Sequence, residues 1–391
     1  MYDLILIRYG EIALKGKNRS FFVNKLISNI KKSCSFTDLK IKRTYGRLFI
    51  YPQDKTGENI KNIAEKLKGV PGIVSFSPCI TCQLDYEKLK NRALEFFKKE
   101  VENFSTTFKV ETNRANKSFV KNSMEINREI GALILENIDD ISVDIHNPEV
   151  TLNFDVRDKA IYIYTKTISG PGGLPVGCSG KGLLLLSGGI DSPVAGWLGM
   201  KRGIEVEGLH FHSFPYTSDR AKEKVIDLAK ILSKTGNKFK LYIVHFTEIQ
   251  RAIKKHCQPK YIITIMRRMM FRIATAIARK NNNLVLLTGE SIGQVSSQTL
   301  ENMQTISAVT DLPVLRPVIT MDKQEIITIA KDIGTYETSI LPHEDCCTIF
   351  VPDHPVTRPT IAEAIKNENN LNIEELIKEA LEKTETLHIS E

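Results

Sequence analysis

Short apolar runs alternate with amphipathic stretches along the first 170 residues of the chain. Period-two and helical patterns predict strands at 4–8, 39–44, 48–51, 107–112, 149–156 and 160–167, with helices at 20–32, 60–67, 86–101 and 123–136. Strands and helices interspersed in this way are typical of small mixed domains. The pattern therefore predicts small α+β modules in the front half, with boundaries at 1–60 and 61–168.

The pattern changes after residues 169–177, the stretch of the chain that is densest in glycine and proline and is a predicted linker. Continuous apolar runs follow at 183–186, 206–211, 241–246 and 284–287, with helical stretches between them. Apolar runs that alternate with helices are typical of a doubly wound parallel sheet buried on both faces. We therefore predict one such domain over 178–391, closed by an acidic helical tail at 372–387.

Length and composition agree with a multidomain α/β protein. The chain has 391 residues, of which 42% are hydrophobic and 26% charged, and this length suggests two or three domains. No apolar run approaches the roughly 20 residues that span a bilayer, and the amino terminus does not resemble a signal peptide. Seven cysteines, an odd number, argue against a disulfide framework. The prediction is a cytoplasmic protein.

Positive charge is concentrated at the front of the chain. The net charge is +8, and residues 1–70 hold 15 lysines and arginines against six aspartates and glutamates. A clustered positive field attracts a polyanion such as RNA, because binding releases counterions from the phosphate backbone. A solvated basic surface without a partner explains the charge equally well. Charge alone leaves both interpretations open.

The segment Ser187-Gly188-Gly189-Ile190-Asp191-Ser192-Pro193 follows the first apolar run of the second half. Glycines let the backbone turn tightly and bring its N–H groups close to an anion. Ser192 is a predicted N-cap and Pro193 a predicted first helical residue, so the helix dipole would point at the same place. The pattern predicts a phosphate-binding loop, whereas a lone glycine pair would indicate only a tight turn.

Asp191 needs a separate explanation, because a carboxylate repels phosphate. It fits a role in holding a Mg²⁺ ion that bridges to the phosphates. The P-loop of ordinary nucleotide triphosphatases is absent, since Gly180-Lys181-Gly182 lacks the following Ser or Thr and the required earlier glycine.

Residues 187–192 match the S-G-G-x-D-S signature of the PP-loop ATP pyrophosphatases, which adenylate a carbonyl oxygen and release pyrophosphate. Four further segments resemble one member family, the tRNA 4-thiouridine synthases (tRNA sulfurtransferases). They are 8–19 (RYGEIALKGKNR), 114–119 (RANKSF), 288–291 (TGES) with Gln298, and 344–347 (EDCC). The resemblance runs in order over essentially the whole chain.

This resemblance implies an N-terminal ferredoxin-like α+β domain, a THUMP RNA-binding domain and a C-terminal PP-loop domain of the adenine nucleotide alpha hydrolase type. It implies ATP and Mg²⁺ as cofactors, tRNA as partner, and conversion of the uridine at position eight to 4-thiouridine. Sulfur transfer for thiamine thiazole synthesis and a homodimer are further expectations. Longer members carry a rhodanese domain, which is not expected here, so a cysteine desulfurase is the expected sulfur donor.

The resemblance also implies a set of nucleotide-binding residues. They are Leu185, Leu186, Ser187, Gly188, Gly189, Asp191, Ser192, His210, Phe211, Arg267, Gly289 and Gln298. His210 and Phe211 would face the adenine, although a core aromatic beside a structural histidine would give the same pattern. Gln298 could contact a base edge or be an ordinary surface residue. Lys323 lies within the capping-box pattern Asp322–Glu325, on the first turn of the predicted helix, and is predicted to neutralise departing pyrophosphate.

Three predicted catalytic residues follow: Asp191, Lys323 and Cys346. Cys346 is the expected persulfide carrier. Either this one cysteine suffices, or a resolving thiol is required, for which Cys347 and Cys257 are the candidates. Cys79 and Cys82 form a lone C-x-x-C, which is too little for a zinc site, and are predicted to be half-buried strand residues. The predicted RNA-binding residues are Lys15, Lys17, Arg19, Arg114 and Lys117.

Two other functions fit part of the sequence. Another PP-loop adenylating ligase would share the phosphate-binding loop, but it would need neither the basic front half nor the 344–347 segment. A non-catalytic, nucleotide-regulated tRNA-binding protein would need the basic half without the reactive cysteine.

Overall fold

A computed structural model describes residues 2–44, 46–101, 105–236, 238–342, 352 and 354–390. The chain forms two compact units. The first comprises Met1–Ser20 and Ile30–Gly172, and the second comprises Phe21–Asn29 and Gly173–Glu391.

The first unit is built on one nine-stranded sheet. Its strands are β1 (Leu4–Arg8), β2 (Leu39–Thr44), β3 (Arg47–Pro52), β4 (Ser75–Cys82), β5 (Thr106–Arg114), β6 (Ile141–Val143), β7 (Val150–Val156), β8 (Ile161–Tyr164) and β9 (Ile168–Ser169). The order is β2-β3-β1-β4-β8-β7-β5-β6, with β9 beside β4. Most neighbours are antiparallel, but β5 runs parallel to both β6 and β7. Strand β1 is fully buried from Leu4 to Ile7.

Helix α1 (Arg19–Ser33) has no side-chain cap, and its residues Phe21–Asn29 belong to the second unit. The other helices of the first unit are α2 (Gly57–Leu67), α3 (Tyr86–Glu100) and α4 (Ser123–Asn137), and their first turns are capped by side chains that the sequence supplies. Thr56 and Asp85 cap α2 and α3, and Asn122 forms a capping box with Glu125 at α4. Each cap satisfies a backbone N–H that the first turn leaves without an intrahelical partner.

The second unit contains a six-stranded sheet. Its strands are β10 (Lys181–Leu185), β11 (Glu205–His212), β12 (Phe239–His245), β13 (Val285–Leu287), β14 (Val314–Leu315) and β15 (Glu385–Ile389). The order is β14-β13-β10-β11-β12-β15, and all pairs except β12–β15 are parallel. From β10 the chain continues to β11 on one side, while β13 lies on the other. The carboxyl end of β10 is therefore a topological switch point, where doubly wound sheets bind ligands.

Nine helices described in this unit lie on both faces of the sheet. They are α5 (Asp191–Lys201), α6 (Asp219–Gly236), α7 (Thr247–His256), α8 (Ile262–Lys280), α9 (Leu300–Ser307), α10 (Lys323–Asp332), α11 (Tyr336–Ser339), α12 (Ile361–Glu368) and α13 (Ile373–Glu382). Leu183 belongs to the core beneath α7 and α8, whereas Leu184 belongs to the core beneath α5 and α6. Successive strand residues point to opposite faces, so the predicted doubly wound arrangement is confirmed.

The structure corrects several expectations about local elements. The predicted helical tail at 372–387 is wrong beyond Glu382, because Glu385–Ile389 forms β15 against β12, with Leu387 and Ile389 packed on the core. Cys79 and Cys82 are in a strand but are buried, not half-buried. The very short strands β6, β9 and β14 have too few residues to show periodicity. Other predicted element boundaries differ by up to three residues.

Among the described residues, no helix combines the length and the apolar character needed to cross a bilayer.

A buried ion cluster joins α8 to α12 in the second unit. Glu368 accepts hydrogen bonds from Arg268 at 2.6 and 3.0 Å and from Arg272 at 2.9 and 2.8 Å. Burial would raise the pKa of Glu368, but the two guanidinium groups outweigh burial and hold that pKa below its usual value. Arg268 also donates to the carbonyl of Thr305. The cluster therefore fixes α12 and α9 to the long central helix.

Replacing Glu368 by alanine should lower the free energy of unfolding by about 3–5 kcal/mol, because it leaves the buried Arg268 without its countercharge. Because the folded-state pKa of Glu368 is depressed, its contribution is present above its ordinary pKa of 4.5 and is lost as the pH falls through the folded value. Urea unfolding followed through Trp197 on α5, the only tryptophan in the chain, would measure the change.

Glu301→Ala is the matched control. Glu301 pairs with Arg358 at 3.7 Å, and both side chains are about half or more exposed, so its loss should cost no more than about 1 kcal/mol. Equal effects for the two variants would contradict the assigned importance of the buried cluster.

Candidate functional site

The loop between β10 and α5 is closed by two serine side chains. The backbone N–H of Ser187 donates to the Ser192 hydroxyl at 2.9 Å, and that hydroxyl lies 3.1 Å from the Ser187 hydroxyl. The Gly189 N–H donates to the Ser187 hydroxyl at 3.3 Å. These contacts hold the loop in a compact turn at the switch point of the sheet.

The expected cap at this helix is wrong. Helix α5 begins at Asp191, Ile190 occupies the N-cap position, and no side chain caps the first turn. Ser192 is therefore inside the helix, and its hydroxyl turns back to Ser187 instead of accepting from the helix. Pro193 is the third helical residue, which still suits proline because the first-turn N–H groups have no intrahelical acceptor.

Gly289 lies against the start of α5 with no space for a side chain. A Cβ atom there would lie 2.6 Å from the Ser192 nitrogen and 2.7 Å from the Asp191 carbonyl carbon. These are backbone atoms of the phosphate-binding loop, which cannot move aside as a flexible side chain can. The segment after β13 and the loop after β10 therefore fix each other's position.

A cavity of about 210 Å³ opens at the carboxyl ends of β10, β11 and β13. Ten of the twelve predicted nucleotide-binding residues line it: Leu185, Leu186, Ser187, Asp191, Ser192, His210, Phe211, Arg267, Gly289 and Gln298. Gly188 and Gly189 belong to the loop but not to the cavity wall. The fold thus brings residues from four separate chain segments to one place.

His210 is buried beside the phosphate-binding loop, and its Nδ1 lies 3.1 Å from the carbonyl oxygen of Leu186. Phe211 packs edge-on against Phe246, with ring centroids 5.1 Å apart. Both residues line the cavity and also contribute to the core. A contact with adenine and a role in the core are therefore compatible for this pair.

Lys323 and Asp191 form an ion pair at the cavity rim. The Lys323 ammonium lies 2.7 Å from Asp191 Oδ1, and Gln294 donates to Oδ2 at 3.2 Å. Lys323 is the first residue of α10, directly after its N-cap Asp322, and the structure confirms the predicted capping box between Asp322 and Glu325. The fold thus joins two residues that are 132 positions apart in the chain.

The donor set at the rim suits a magnesium ion that is bound mainly through phosphate. Asp191 supplies one carboxylate, and within the described part of the chain no three acidic, histidine or cysteine side chains cluster as metal ligands. Mg²⁺ commonly takes one or two carboxylates and completes its shell with phosphate oxygens and water. Asp191 is the residue that would hold it.

Glu290 was not predicted as a site residue, yet it organises the charge of the cavity. It lies 2.5 Å from Arg267 and 2.7 Å from Arg316, and it accepts a hydrogen bond from Thr288 at 2.9 Å. Burial would raise the pKa of Glu290, but the two arginines outweigh burial and hold that pKa below its usual value. Two guanidinium groups against one carboxylate leave an excess of positive charge beside the cavity, which favours an anionic ligand.

The signal for Glu290 was present in the sequence, because an acidic residue directly after a buried strand and Gly289 requires a cationic partner. The partner Arg316 could not be identified in advance. It follows the two-residue strand β14, and only the parallel pairing of β13 with β14 places it beside Glu290.

The predicted RNA-binding residues lie in two segments of the first unit. Lys17 and Lys117 are exposed, whereas Lys15, Arg19 and Arg114 are partly buried. Arg114 ends β5 and donates hydrogen bonds to the carbonyls of Phe119 and Lys121 at 3.0 and 3.2 Å. Arg114 therefore shapes the 115–121 loop in addition to any contact with RNA.

Cys346 and Cys347 lie outside the described residues. The chain before them is fixed near the site, because Ser339 donates to the carbonyl of Gly189 at 3.4 Å. The chain after them is held at Thr299, next to the cavity residue Gln298, because the Thr299 hydroxyl donates to the Thr357 carbonyl at 2.6 Å. Cys257 is buried and donates to the Asn367 carbonyl, and burial raises the pKa of its thiol to about 11.

Three family descriptions match successive parts of the chain: the ThiI ferredoxin-like domain at residues 4–77, the THUMP domain at 84–166, and the thiamine biosynthesis protein (ThiI) at 177–373. A probable tRNA sulfurtransferase of Halothermothrix orenii is 60% identical over 397 residues, covering 100% of this chain and 99% of the relative. The chain belongs to the ThiI family.

A second relative, the probable tRNA sulfurtransferase of Moorella thermoacetica, is 49% identical, and the alignment covers 100% of this chain and 98% of the relative. A crystal structure of a 4-thiouridine synthetase–RNA complex with bound ATP matches with a TM-score of 0.90 at 41% identity, over 100% of both chains. These similarities confirm the predicted family and its ferredoxin-like, THUMP and parallel-sheet domains. None of the family matches is a rhodanese domain.

Replacing Gly289 by alanine should weaken ATP binding in this ThiI protein by about 5- to 100-fold, since overpacking against fixed backbone typically costs about 1–3 kcal/mol. The added Cβ would displace the first turn of α5 and with it Ser192 and Asp191. Titration calorimetry with ATP would measure the loss.

Gly236→Ala is the control, because a Cβ at Gly236 would meet only Met200 side-chain atoms at ordinary contact distances of 3.9 and 4.0 Å. Unchanged ATP affinity in Gly289→Ala would show that the close approach does not shape the nucleotide site.

Proposed function

We propose that this protein is an ATP-dependent tRNA sulfurtransferase that adenylates O4 of uridine 8 and replaces that oxygen with sulfur, giving 4-thiouridine. The observation that carries the proposal is the cavity at the switch point. It combines the Ser187–Ser192 loop, an excess of guanidinium charge and an acid–lysine pair in one place. Full-length similarity to a 4-thiouridine synthetase that binds RNA and ATP supports this reaction over that of another PP-loop ligase.

The chain's own groups divide the tasks of nucleotide binding. The loop N–H groups and the positive end of α5 would face the phosphates, while His210 and Phe211 would contact the adenine. Arg267, held by Glu290, would contribute positive charge to the phosphate region. Mg²⁺ bound at Asp191 would neutralise phosphate charge and leave Lys323 to face the departing pyrophosphate.

Adenylation solves a leaving-group problem. The uridine O4 forms a bond to the α-phosphorus, the bond from that phosphorus to the β-phosphate oxygen breaks, and pyrophosphate leaves. The base then carries AMP through O4, so attack of sulfur at C4 can expel AMP together with the original oxygen. A carbonyl oxygen without this activation is a poor leaving group, which is the usual reason for a covalent intermediate.

We propose that Cys346 carries the sulfur as a persulfide received from a cysteine desulfurase. When the outer persulfide sulfur bonds to C4, the base is joined to Cys346 through a disulfide. A second thiol must break that bond, which releases the thiolated base and leaves a disulfide on the protein for reduction by another thiol. Cys347 is a better resolving candidate than Cys257, whose raised pKa and burial keep it protonated and enclosed.

The first unit is the proposed tRNA-binding part, with Lys15, Lys17, Arg19, Arg114 and Lys117 at the phosphate backbone. Its THUMP match and the excess of basic residues over 1–70 support this assignment. The division proposed from the sequence, with residues 1–168 for RNA and 178–391 for catalysis, fits these roles. The family description also supports a second use of the same persulfide, as the sulfur source for the thiamine thiazole.

Asp191→Ala should abolish pyrophosphate release, a loss of at least about 100-fold, since the variant loses a charged group at the reacting phosphates. The measurement is mass analysis of tRNA nucleosides after incubation with ATP and sulfide, together with a pyrophosphate assay. Wild-type protein should give 4-thiouridine at position 8 and release pyrophosphate only when tRNA is present.

Asp311→Ala serves as its control, because Asp311 is exposed and pairs with Arg279 outside the cavity. Retained turnover in Asp191→Ala would refute its role at the phosphates. Pyrophosphate release that is independent of tRNA would favour another PP-loop ligase, and the absence of release would favour a regulated binding protein.

Cys346→Ser should abolish thiolation when a desulfurase supplies sulfur, while pyrophosphate release continues. Excess free sulfide should restore part of the thiolation, because sulfide bypasses the carrier. Nucleoside mass analysis with each sulfur source would separate the two steps. Cys347→Ser should be severely impaired with the desulfurase if Cys347 is the resolving thiol.

Cys178→Ser is the matched control, since Cys178 is a partly exposed cysteine outside the cavity wall and should behave as wild type. Full desulfurase-driven activity in Cys346→Ser would place the sulfur carrier on another residue.

A further inference from the structure

A second cavity, of about 260 Å³, lies at the same edge of the parallel sheet as the ATP cavity. Its lining includes Phe214 and Pro215 after β11, His245 and Thr247 at the end of β12, and Arg251 on α7. His245 pairs in register with His212, and Phe214 follows Phe211 by three residues. Because three extended residues span at most about 11 Å, this cavity is a close neighbour of the nucleotide site.

Two large aromatic rings stand out from the surface beside this cavity. Phe214 is 58% exposed and Tyr216 is 44% exposed. Exposed aromatic rings this close together are unusual unless they contact a ligand or partner. The Arg251 guanidinium lies 5.7 Å from the centre of the Tyr216 ring, an arrangement that adds a second flat surface for stacking.

The turn that presents these rings is preorganised. Ser213 accepts hydrogen bonds from the N–H groups of Tyr216 and Thr217 at 2.7 and 3.0 Å, and its own N–H donates to the Thr217 hydroxyl at 3.0 Å. The Thr247 hydroxyl donates to the Phe214 carbonyl at 2.7 Å. The backbone that carries the two rings is therefore fixed before any ligand binds, which lowers the entropic cost of stacking on them.

The α7 side of the cavity is cationic, which suits a phosphate backbone. Helix α7 carries Arg251, Lys254 and Lys255 on exposed positions against one acid, Glu248. Glu248 pairs with Arg251, Glu379 with Lys383, and Glu385 with Lys222. Lysine is depleted in protein–protein interfaces, whereas cations beside exposed aromatic rings are typical of single-stranded nucleic-acid sites.

We infer that the Phe214–Tyr216 turn and this second cavity receive an unstacked nucleotide of the substrate tRNA, next to the uridine that enters the ATP cavity. The inference rests on the proposed function for the identity of the RNA. A base would stack on Phe214 or Tyr216, and the cations of α7 would face the flanking phosphates. The catalytic unit would thus hold the RNA strand on one side of the target base.

The test uses the full chain with Phe214→Ala and Tyr216→Ala combined. Stacking is worth about 1–3 kcal/mol per base, so the double variant should bind tRNA or use it in thiolation, as kcat/KM with sulfide as donor, about 5- to 100-fold less well. ATP affinity should stay at the wild-type value. Ile365→Ala, which removes another half-exposed apolar side chain of the same unit, should change neither quantity.

A second variant guards against misfolding of the first. In Phe214→Trp, tRNA should quench tryptophan fluorescence more strongly than in wild-type protein, which contains only Trp197, and ATP alone should not. Values for tRNA affinity and kcat/KM within twofold of wild type in the double variant would overturn the inference. A defect confined to desulfurase-driven thiolation would also overturn it, in favour of a protein-docking surface. A wild-type protein that fails to thiolate tRNA at all would instead refute the proposed function.

Discussion

The close approach between Gly289 and the first turn of α5 is the constraint on which the nucleotide site depends. Two segments, each following a strand of the parallel sheet, meet backbone to backbone with no side chain between them. Strands β10 and β13 are neighbours in the sheet, so their carboxyl ends meet at one edge. The loop after β10 supplies the predicted phosphate-binding turn, and the segment after β13 supplies Glu290. The sheet thus positions the loop and the cationic cluster together.

The charged side chains at this edge of the sheet favour binding of an anion. Glu290 is buried and pairs with two partly buried arginines, and Asp191 pairs with one lysine at the rim. The first group has an excess of positive charge, whereas the second is neutral unless a metal or a phosphate competes for its members. Loss of Glu290 would leave both arginines without their carboxylate, so Glu290 also contributes to stability.

Helix α8 connects this site to the rest of the second unit. Adjacent arginines on α8 point to different partners: Arg267 reaches Glu290 at the cavity, and Arg268 reaches Glu368 on α12. The same helix provides much of the core beneath the sheet. Movement of α8 would therefore disturb the nucleotide site and the packing of the carboxyl-terminal helices together.

The sequence by itself determined the fold class and the family, and most of the residues it predicted for nucleotide binding line one cavity. The Ser187–Ser192 motif follows an apolar strand, and this local order suffices to predict a phosphate-binding loop at a strand end. The capping box around Lys323 is equally local, because the N-cap Asp322 and its partner Glu325 are three residues apart. Such features depend on neighbouring residues, so they can be read along the chain.

Only the tertiary structure decided which distant residues meet. The pairing of Lys323 with Asp191, the contact of Gly289 with Ser192 and the placement of Arg316 beside Glu290 all depend on strand order. Strand β15 was not predicted, for a related reason. It forms by antiparallel pairing with the edge strand β12, which lies far away in the sequence. The Ser192 hydroxyl likewise bonds to the Ser187 backbone instead of capping the helix, because α5 begins one residue earlier, at Asp191. Sequence patterns indicate the local conformation that each residue favours. Contacts between residues far apart in the chain depend on the order in which the strands pair in the sheet.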